Sequence, residues 1–236
     1  MDFPTTHWNE IAQATLNGSV RSRKTLEKLC ASYWSPIYQF IRSRNIAAPE
    51  AQDLTQDFML HVLQKSLFSR ADALRGRFRS FLLGALVRFL ADAADKKNAS
   101  KRGGGRPYLS LDGLDFEPGP ETGYDPEPAV VFDQEWALQL LGSALEHVRS
   151  EYVRQNRECH FATLRQFLPG SSQAPHYDEA AEHLSISPGA LKTEVHRLRR
   201  RLRAALYQEV AQTVSAPHEI EPEMAYLHRV LMSATG

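Results

Sequence analysis

The chain has 236 residues, of which 42% are hydrophobic, and its 28 Lys and Arg residues balance its 28 Asp and Glu residues. This length suits one large or two small domains with packed cores. No apolar run approaches the roughly 18 residues that a membrane-spanning helix needs, and the N-terminus lacks the basic and apolar pattern of a signal peptide. Because Cys30 and Cys159 lie far apart and have no CxxC spacing, we expect reduced thiols in a cytoplasmic protein.

Residues 1–102 predict a first domain that is helical throughout. Apolar residues recur there at helical spacing, and no segment shows the alternation of a strand. The predicted helices are a short one around Trp8, one from Leu26 to Ile41, one that starts after Pro49 and one from about Arg77 to Lys97. Pro36 lies inside the second of these, so we expect a kink or a break near Ser35.

Residues 103–131 predict a flexible linker, because they combine three consecutive glycines with scattered prolines and acidic residues. The net charge of zero hides a strong asymmetry around this segment. Residues 70–106 contain ten Lys and Arg against three Asp, residues 107–135 contain eight acidic residues and no base, and residues 197–203 contain five arginines. Two basic blocks separated by an acidic one indicate a polyanionic partner that is contacted at two places.

Residues 132–210 predict a second helical domain, followed by a C-terminal extension, 211–236, with one more helix. The most informative segment of this domain is YDEAAEHLSISPGALKTEVHRLRRRLRAAL, 177–206, whose pattern is typical of a short helix, a tight turn and a longer helix. Ser187 and Pro188 provide the turn and the start of the longer helix, because proline is tolerated at a first helical position.

The longer helix of this segment has two faces of opposite character. Its apolar stripe consists of Leu191, Val195, Leu198, Leu202 and Leu206. The residues predicted to contact DNA from the opposite face are Lys192, Thr193, His196, Arg197, Arg200 and Arg203. In a helix-turn-helix, one side of the second helix packs on the domain and the other side enters a DNA groove. The two faces of this helix have that pattern. The alternative is a charged face that is merely solvated, which the turn and the short first helix disfavour.

A second basic segment, RGRFR at 75–79, lies close to several phenylalanines. Basic side chains interleaved with aromatic rings suit single-stranded DNA, because the cations follow the phosphates while the rings stack on exposed nucleobases. We expect Phe78 and Phe89 to belong to the core instead. Arg75, Arg77 and Arg79 are therefore better candidates for phosphate contacts than these rings are for stacking.

Candidate catalytic and metal-binding groups are few. Asp53 and Asp57 lie one helical turn apart, but no basic partner accompanies them for acid–base chemistry. His176, Glu179 and His183 lack the further ligand that a zinc site needs. We therefore predict no catalytic residue, no metal and no cofactor, and a protein that is not an enzyme.

Three segments, in this order and spacing, resemble the extracytoplasmic-function (ECF) sigma factors, the short two-domain branch of the sigma-70 family. They are EAQDLTQDFMLHVLQ at 50–64, GRFRSFLLGALVRFLADAADKK at 76–97 and the two-helix segment at 177–203. The opening FPTTHW and the C-terminal extension resemble a planctomycete-type subgroup. The resemblance implies an all-α fold with two small helical domains, like sigma regions 2 and 4, and a winged-helix-like class of DNA-binding domain in the second.

The same resemblance implies the partners, which are core RNA polymerase and promoter DNA, and it leaves an anti-sigma factor or another regulator open. The residues implied in docking on core polymerase are Asp53, Gln56, Asp57 and Leu60. Those implied in contacts with the minus-ten region are Arg75, Arg77, Arg79, Lys96, Lys97 and Lys101. The six residues already named in the two-helix segment would then read the minus-thirty-five element.

The main alternative is a stand-alone helix-turn-helix regulator, either a repressor or an activator. It explains residues 177–206 equally well, since such a protein uses the same motif to bind an operator. It leaves residues 50–64 and 76–97 without a role. The sequence therefore favours an initiation factor over a regulator that acts without polymerase.

Overall fold

The structure is a computed structural model that describes residues 20–64, 78–101, 126–170, 175–214 and 216–233. All regular structure within these ranges is helical, with no strand, so the predicted all-α class is confirmed for them. The helices are α1 (Val20–Ser43), α2 (Ala48–Gln64), α3 (Phe78–Lys101), α4 (Pro126–Arg154), α5 (Glu158–Leu164), α6 (Tyr177–His183), α7 (Pro188–Ala211) and α8 (Ile220–Ser233), with 3₁₀ turns at Arg165–Phe167 and Pro217–Glu219. The short helix expected around Trp8 lies outside the described residues.

Packing divides the described residues into two compact units. The first contains those up to Trp136 together with 212–219, and the second contains 137–211 and 220–233. The division falls within α4, so residues 132–136, which we expected to open the second domain, group with the first unit. The reason is that Phe132 and Trp136 are fully buried and Phe132 packs edge-on against Phe40 of α1, with ring centroids 6.4 Å apart.

Helix α4 also begins earlier than the sequence pattern indicated. Residues 126–131 were predicted to belong to the linker, but they form the first turns of this helix. The prolines and acidic residues that favoured a linker are compatible with a helix start, because proline at a first helical position loses no hydrogen bond and acidic groups there interact well with the helix dipole. The rest of the predicted linker lies outside the described residues.

We expected a kink or a break near Ser35, and helix α1 continues through Pro36 without a break. A proline inside a helix removes one hydrogen bond and clashes with the preceding turn, at about 3 kcal/mol. Here Pro36 is itself buried, and Tyr33, Ile37 and Phe40 beside it are buried too. Burial of this apolar face offsets the loss, since each large side chain contributes about 1.5–3 kcal/mol.

The core of the first unit is built from aromatic contacts among α1, α2 and α3. Tyr33 meets Phe78 edge-on at 5.2 Å between ring centroids, and Phe58 meets Phe89 at 5.4 Å. Phe78 is buried and Phe89 is partly buried. Both phenylalanines therefore pack in the protein, as we expected, and α3 presents them inward.

The core of the second unit forms where the second half of α4 meets α5, α6 and α7. The inward residues of α4 lie about one turn apart and are Leu140, Ala144, Val148 and Tyr152, all of them buried. Phe161 and Leu164 of α5 pack in the same cluster, and α8 packs on α7. This core supports the outward face of α7.

No helix in the described ranges has both the length and the apolar character needed to cross a membrane.

Candidate nucleic-acid interface

Helix α7 separates its apolar residues from its polar residues as the sequence pattern predicted. Leu191, Val195 and Leu198 are at most 2% exposed, and Leu202 and Leu206 pack partly buried against the same core. The residues predicted to contact DNA, namely Lys192, Thr193, His196, Arg197, Arg200 and Arg203, are all exposed. At 3.6 residues per turn they occupy less than half of the circumference of the helix, opposite the buried stripe. The structure thus brings all six to one surface, which we call the α7 face.

The turn before α7 fixes the direction in which this face points. Ser185 has a positive φ of 54°, which ends α6, and the amide of Ile186 donates to the carbonyl of Ala181 at 3.0 Å. This six-to-one hydrogen bond is the Schellman arrangement that satisfies the last carbonyls of a helix. Ser187 then accepts a hydrogen bond from the amide of Ala190 at 3.2 Å through its hydroxyl oxygen, capping the N-terminus of α7. Helix α7 begins at Pro188, as the sequence predicted.

The arginines of α7 divide into two groups with different tasks. Arg199 donates to the carbonyl of Phe167 at 2.7 Å, and the guanidinium of Arg201 lies 5.3 Å from the ring centroid of Tyr152. These two side chains hold α7 on its own unit. Arg200, by contrast, is exposed and has no hydrogen bond or ion pair in the part of the chain that the structure describes.

The ion pairs on the α7 face are weak ones. Arg197 pairs with Glu194 one turn earlier at 2.8 Å, and Arg203 lies 3.9 Å from Glu221 of α8. Exposed pairs of this kind contribute about 0.2–1 kcal/mol and are screened by salt. A phosphate group competes readily with such partners, because hydrogen bonds between a guanidinium and a phosphate are strong and often bidentate.

Two further residues of the α7 face make local contacts that limit their motion. The hydroxyl of Thr193 donates to the carbonyl of Gly189 at 3.1 Å, and the ammonium of Lys192 lies 5.8 Å from the ring centroid of Tyr177 on α6. Tyr177 in turn packs against Phe167. Lys192 therefore lies near the first residue of α6.

A separate polar face lies on α2 in the first unit. Asp53, Gln56, Asp57 and Leu60 are all exposed and recur at the three- and four-residue spacing of one helical face. The opposite side of α2 is buried, with Phe58 among its core residues. Leu60 is 45% exposed. We call these four residues the α2 face; it combines one exposed apolar side chain with three polar ones.

Arg79 is buried in the first unit, so the prediction that it contacts DNA is corrected. Its residue exposure is 6%, and its guanidinium donates to Asp133 Oδ1 at 2.8 Å. The same guanidinium lies 5.0 Å from the ring centroid of Trp136. A buried charge needs such a partner, because removing it from water without one is very unfavourable. Arg79 therefore belongs to the core of the first unit.

The other residues predicted to contact the minus-ten region have mixed outcomes. Lys96 and Lys97 are exposed near the end of α3, and Lys97 forms an ion pair with Glu50 of α2. Lys101 is the last residue of α3. Arg75 and Arg77 lie outside the described residues. An exposed basic end of α3 remains, without the contribution expected from Arg79.

The sequence pattern missed Arg157, which lies beside the α7 face. Arg157, in the turn between α4 and α5, lies 3.4 Å from Glu194 of α7. Burial raises the pKa of the nearby Tyr152 hydroxyl, and Glu194 raises it further, while the positive charges of Arg201 and Arg157 lower it. Tyr152 thus stays neutral beneath a cluster of charged groups. The available signal for Arg157 was the pair of arginines in residues 154–157. A turn position has no periodicity, however, that would indicate where its side chain points.

Within the described ranges, no three His, Cys, Asp or Glu side chains converge as metal ligands would. His183 instead lies 3.4 Å from the hydroxyl of Thr163 through Nδ1.

Comparison of the chain with models of protein families, with curated proteins and with solved structures gives no match. The function is therefore inferred from the α7 face, the α2 face and the sequence motifs that contain them.

Proposed function

We propose that this chain is a DNA-binding protein of transcription, and more particularly a sigma factor of the ECF type. In this role it binds core RNA polymerase, directs it to promoters and helps to separate the strands there. The observation that supports the proposal most is the α7 face, on which all six residues predicted from the helix-turn-helix pattern are exposed together. The supporting resemblance is the order of the three sequence motifs.

The α7 face suits the major groove of DNA in both shape and chemistry. A single α-helix fits this groove, and arginine is the side chain that most often reads guanine, through two parallel hydrogen bonds. Arg200 lies near the middle of the exposed arc, where base edges would be closest, and Arg197 lies on the same arc toward one of its edges. Arg203 and Lys192 lie toward the rim and suit backbone phosphates, which position a protein without reading sequence. In this proposal the α6–turn–α7 segment is a helix-turn-helix that reads the minus-thirty-five element.

The α2 face suits a different partner. Its two carboxylates would be repelled by DNA, and the exposed Leu60 between polar neighbours is suited to burial against a protein. Docking of α2 on core polymerase accounts for both features. A stand-alone regulator has no use for such a surface, so the α2 face favours an initiation factor over the regulator.

The basic end of α3 supplies the second DNA contact of the proposal. Strand separation requires unpaired and flipped bases, which costs a few kcal/mol and must be offset by binding. Lys96 and Lys97 would hold the backbone there, and two weak DNA contacts attached to one polymerase act together through their effective concentration. When a DNA phosphate replaces Glu50 as the partner of Lys97, the charge of Lys97 stays compensated.

Reversing the charge of Asp53 tests the docking surface. We expect Asp53→Arg to weaken binding to purified core polymerase by about tenfold or more, because like charges placed opposite each other in an interface cost several kcal/mol. The affinity is measured by titrating labelled protein with core enzyme. Asp92→Arg is the matched control, since Asp92 is exposed on α3 and undergoes the same charge change.

Equal affinities of the two variants would contradict docking through α2. Binding of wild-type protein to a palindromic operator as a dimer, together with no affinity for core polymerase, would favour the stand-alone regulator instead.

A further inference from the structure

The turn between α4 and α5 holds Arg157 in a defined place. Asn156 has a positive φ of 56°, and the amide of Arg157 donates to the carbonyl of Tyr152 at 2.9 Å. The amide of Asn156 donates to the carbonyl of Val153, also at 2.9 Å. Together these bonds form the same Schellman arrangement that ends α6. The backbone of Arg157 is therefore fixed by the end of α4.

The side chain of Arg157 is held as well, but it stays accessible. Its guanidinium lies 5.8 Å from the ring centroid of Tyr152 and 3.4 Å from Glu194 Oε2. The side chain of Arg157 is 35% exposed. A guanidinium that is oriented by an aromatic ring and a carboxylate loses little conformational entropy when it binds a further group.

Glu194 connects Arg157 to the α7 face. Its side chain is only 16% exposed, and its two carboxylate oxygens are shared between Arg157, at 3.4 Å, and Arg197, at 2.8 Å. One negative charge thus faces two positive ones, so this cluster keeps a net positive charge. Arg157 is farther from the Glu194 carboxylate than Arg197 is. An incoming anion therefore binds the guanidinium of Arg157 more easily.

We propose that Arg157 is a further nucleic-acid contact, which binds a backbone phosphate beside the site read by α7, and that Glu194 positions Arg157 relative to Arg197. This inference rests on the proposed DNA binding of α7. A phosphate is the expected ligand because Arg157 lies on a turn next to the reading helix and not on the helix itself. A side chain in such a place flanks the groove and contacts the backbone.

The salt dependence of DNA binding tests this contact. The full chain is titrated with a mixed-sequence duplex, labelled with a fluorophore, at several salt concentrations. Each phosphate contact adds about 0.9 to the slope of log affinity against log salt, so we expect Arg157→Ala to lower that slope by about one. Between about 50 and about 200 mM salt, wild type then loses about threefold more affinity than the variant.

Two variants serve as controls for charge and for folding. Arg157→Lys keeps the positive charge, and we expect it to retain most of the wild-type slope. Arg229→Ala removes an exposed arginine from α8, whose guanidinium lies near the ring of Tyr226 on the same helix. We expect this variant to leave the slope unchanged. Far-UV circular dichroism of each variant establishes that a change in slope is not a loss of fold.

The outcomes separate this inference from the proposed function. If Arg197→Ala lowers the slope and Arg157→Ala leaves it at the wild-type value, Arg157 is not a contact, while DNA binding by α7 stands. If Arg157→Ala lowers the slope but the chain does not bind core polymerase, the inference stands and the sigma-factor proposal fails. If wild type does not bind the duplex at any salt concentration, the inference fails, while the sigma-factor proposal is decided separately by binding to core polymerase.

The positioning role of Glu194 has its own test. A double-mutant cycle of Arg157→Ala and Glu194→Gln compares the effects of the two changes on affinity for the same duplex, singly and together. We expect the effects to deviate from additivity by about twofold or more, as residues in direct contact usually do. Additive effects would contradict a coupling of Glu194 and Arg157 in DNA binding.

Discussion

Replacement of both Arg197 and Arg200 by alanine is expected to lower the affinity of the polymerase complex for promoter DNA by about thirtyfold or more. Each good bidentate contact of an arginine with a base pair is worth about 1–3 kcal/mol, and both side chains are exposed on the α7 face. The measurement is the affinity of the assembled complex for a genomic fragment from which the wild-type complex initiates, compared with a fragment of scrambled sequence.

The matched control for this pair is the double variant Arg149→Ala and Arg229→Ala. Both of these arginines are exposed in the second unit and lie on helices other than α7. The control removes the same net charge, so it accounts for the general loss of attraction to DNA. Equal losses of affinity in the two double variants would contradict a reading role for α7.

The second large effect is expected at the buried pair of the first unit. Asp133→Ala leaves the guanidinium of Arg79 in the core without the carboxylate that lies 2.8 Å away. Removing one partner of a buried ion pair costs about 3–5 kcal/mol, because the remaining buried charge loses the carboxylate that neutralises it. The free energy of unfolding in denaturant, followed by tryptophan fluorescence to which Trp136 contributes, measures this loss.

Two further variants separate the cause from a general effect of mutation. Asp92→Ala, at an exposed position of α3, is expected to change stability by no more than about 0.5 kcal/mol. The double variant Arg79→Met with Asp133→Leu removes both charges, and we expect it to recover much of the loss, since an apolar pair often replaces a buried ion pair without penalty. A double variant as unstable as Asp133→Ala would show that the loss is one of packing.

The two-helix segment of the second unit was predictable because its signals are local. The apolar positions Leu191, Val195 and Leu198 recur at helical spacing, and the burial of this stripe follows from the period alone. The start of α7 follows from Pro188 and the preceding serine, which have conformational preferences of their own. The outward direction of the basic residues is then a geometric consequence.

The contacts of Arg79 and Arg157 were not predictable in this way. Asp133 lies 54 residues from Arg79 along the chain, and nothing in the local sequence RGRFR distinguishes a buried arginine from an exposed one. Their pairing depends on how the first turns of α4 pack on α3, which is a tertiary effect. Arg157 lies in a turn, where no periodic pattern sets the direction of a side chain.

Transcription in vitro tests the central claim most directly. Purified core polymerase is combined with this chain and with genomic promoter fragments, and start sites are mapped with and without the chain. The proposal predicts start sites that depend on the chain and disappear with Arg197→Ala and Arg200→Ala together. Transcription that is the same with and without the chain, in a mixture where core polymerase is active with another initiation factor, would contradict it.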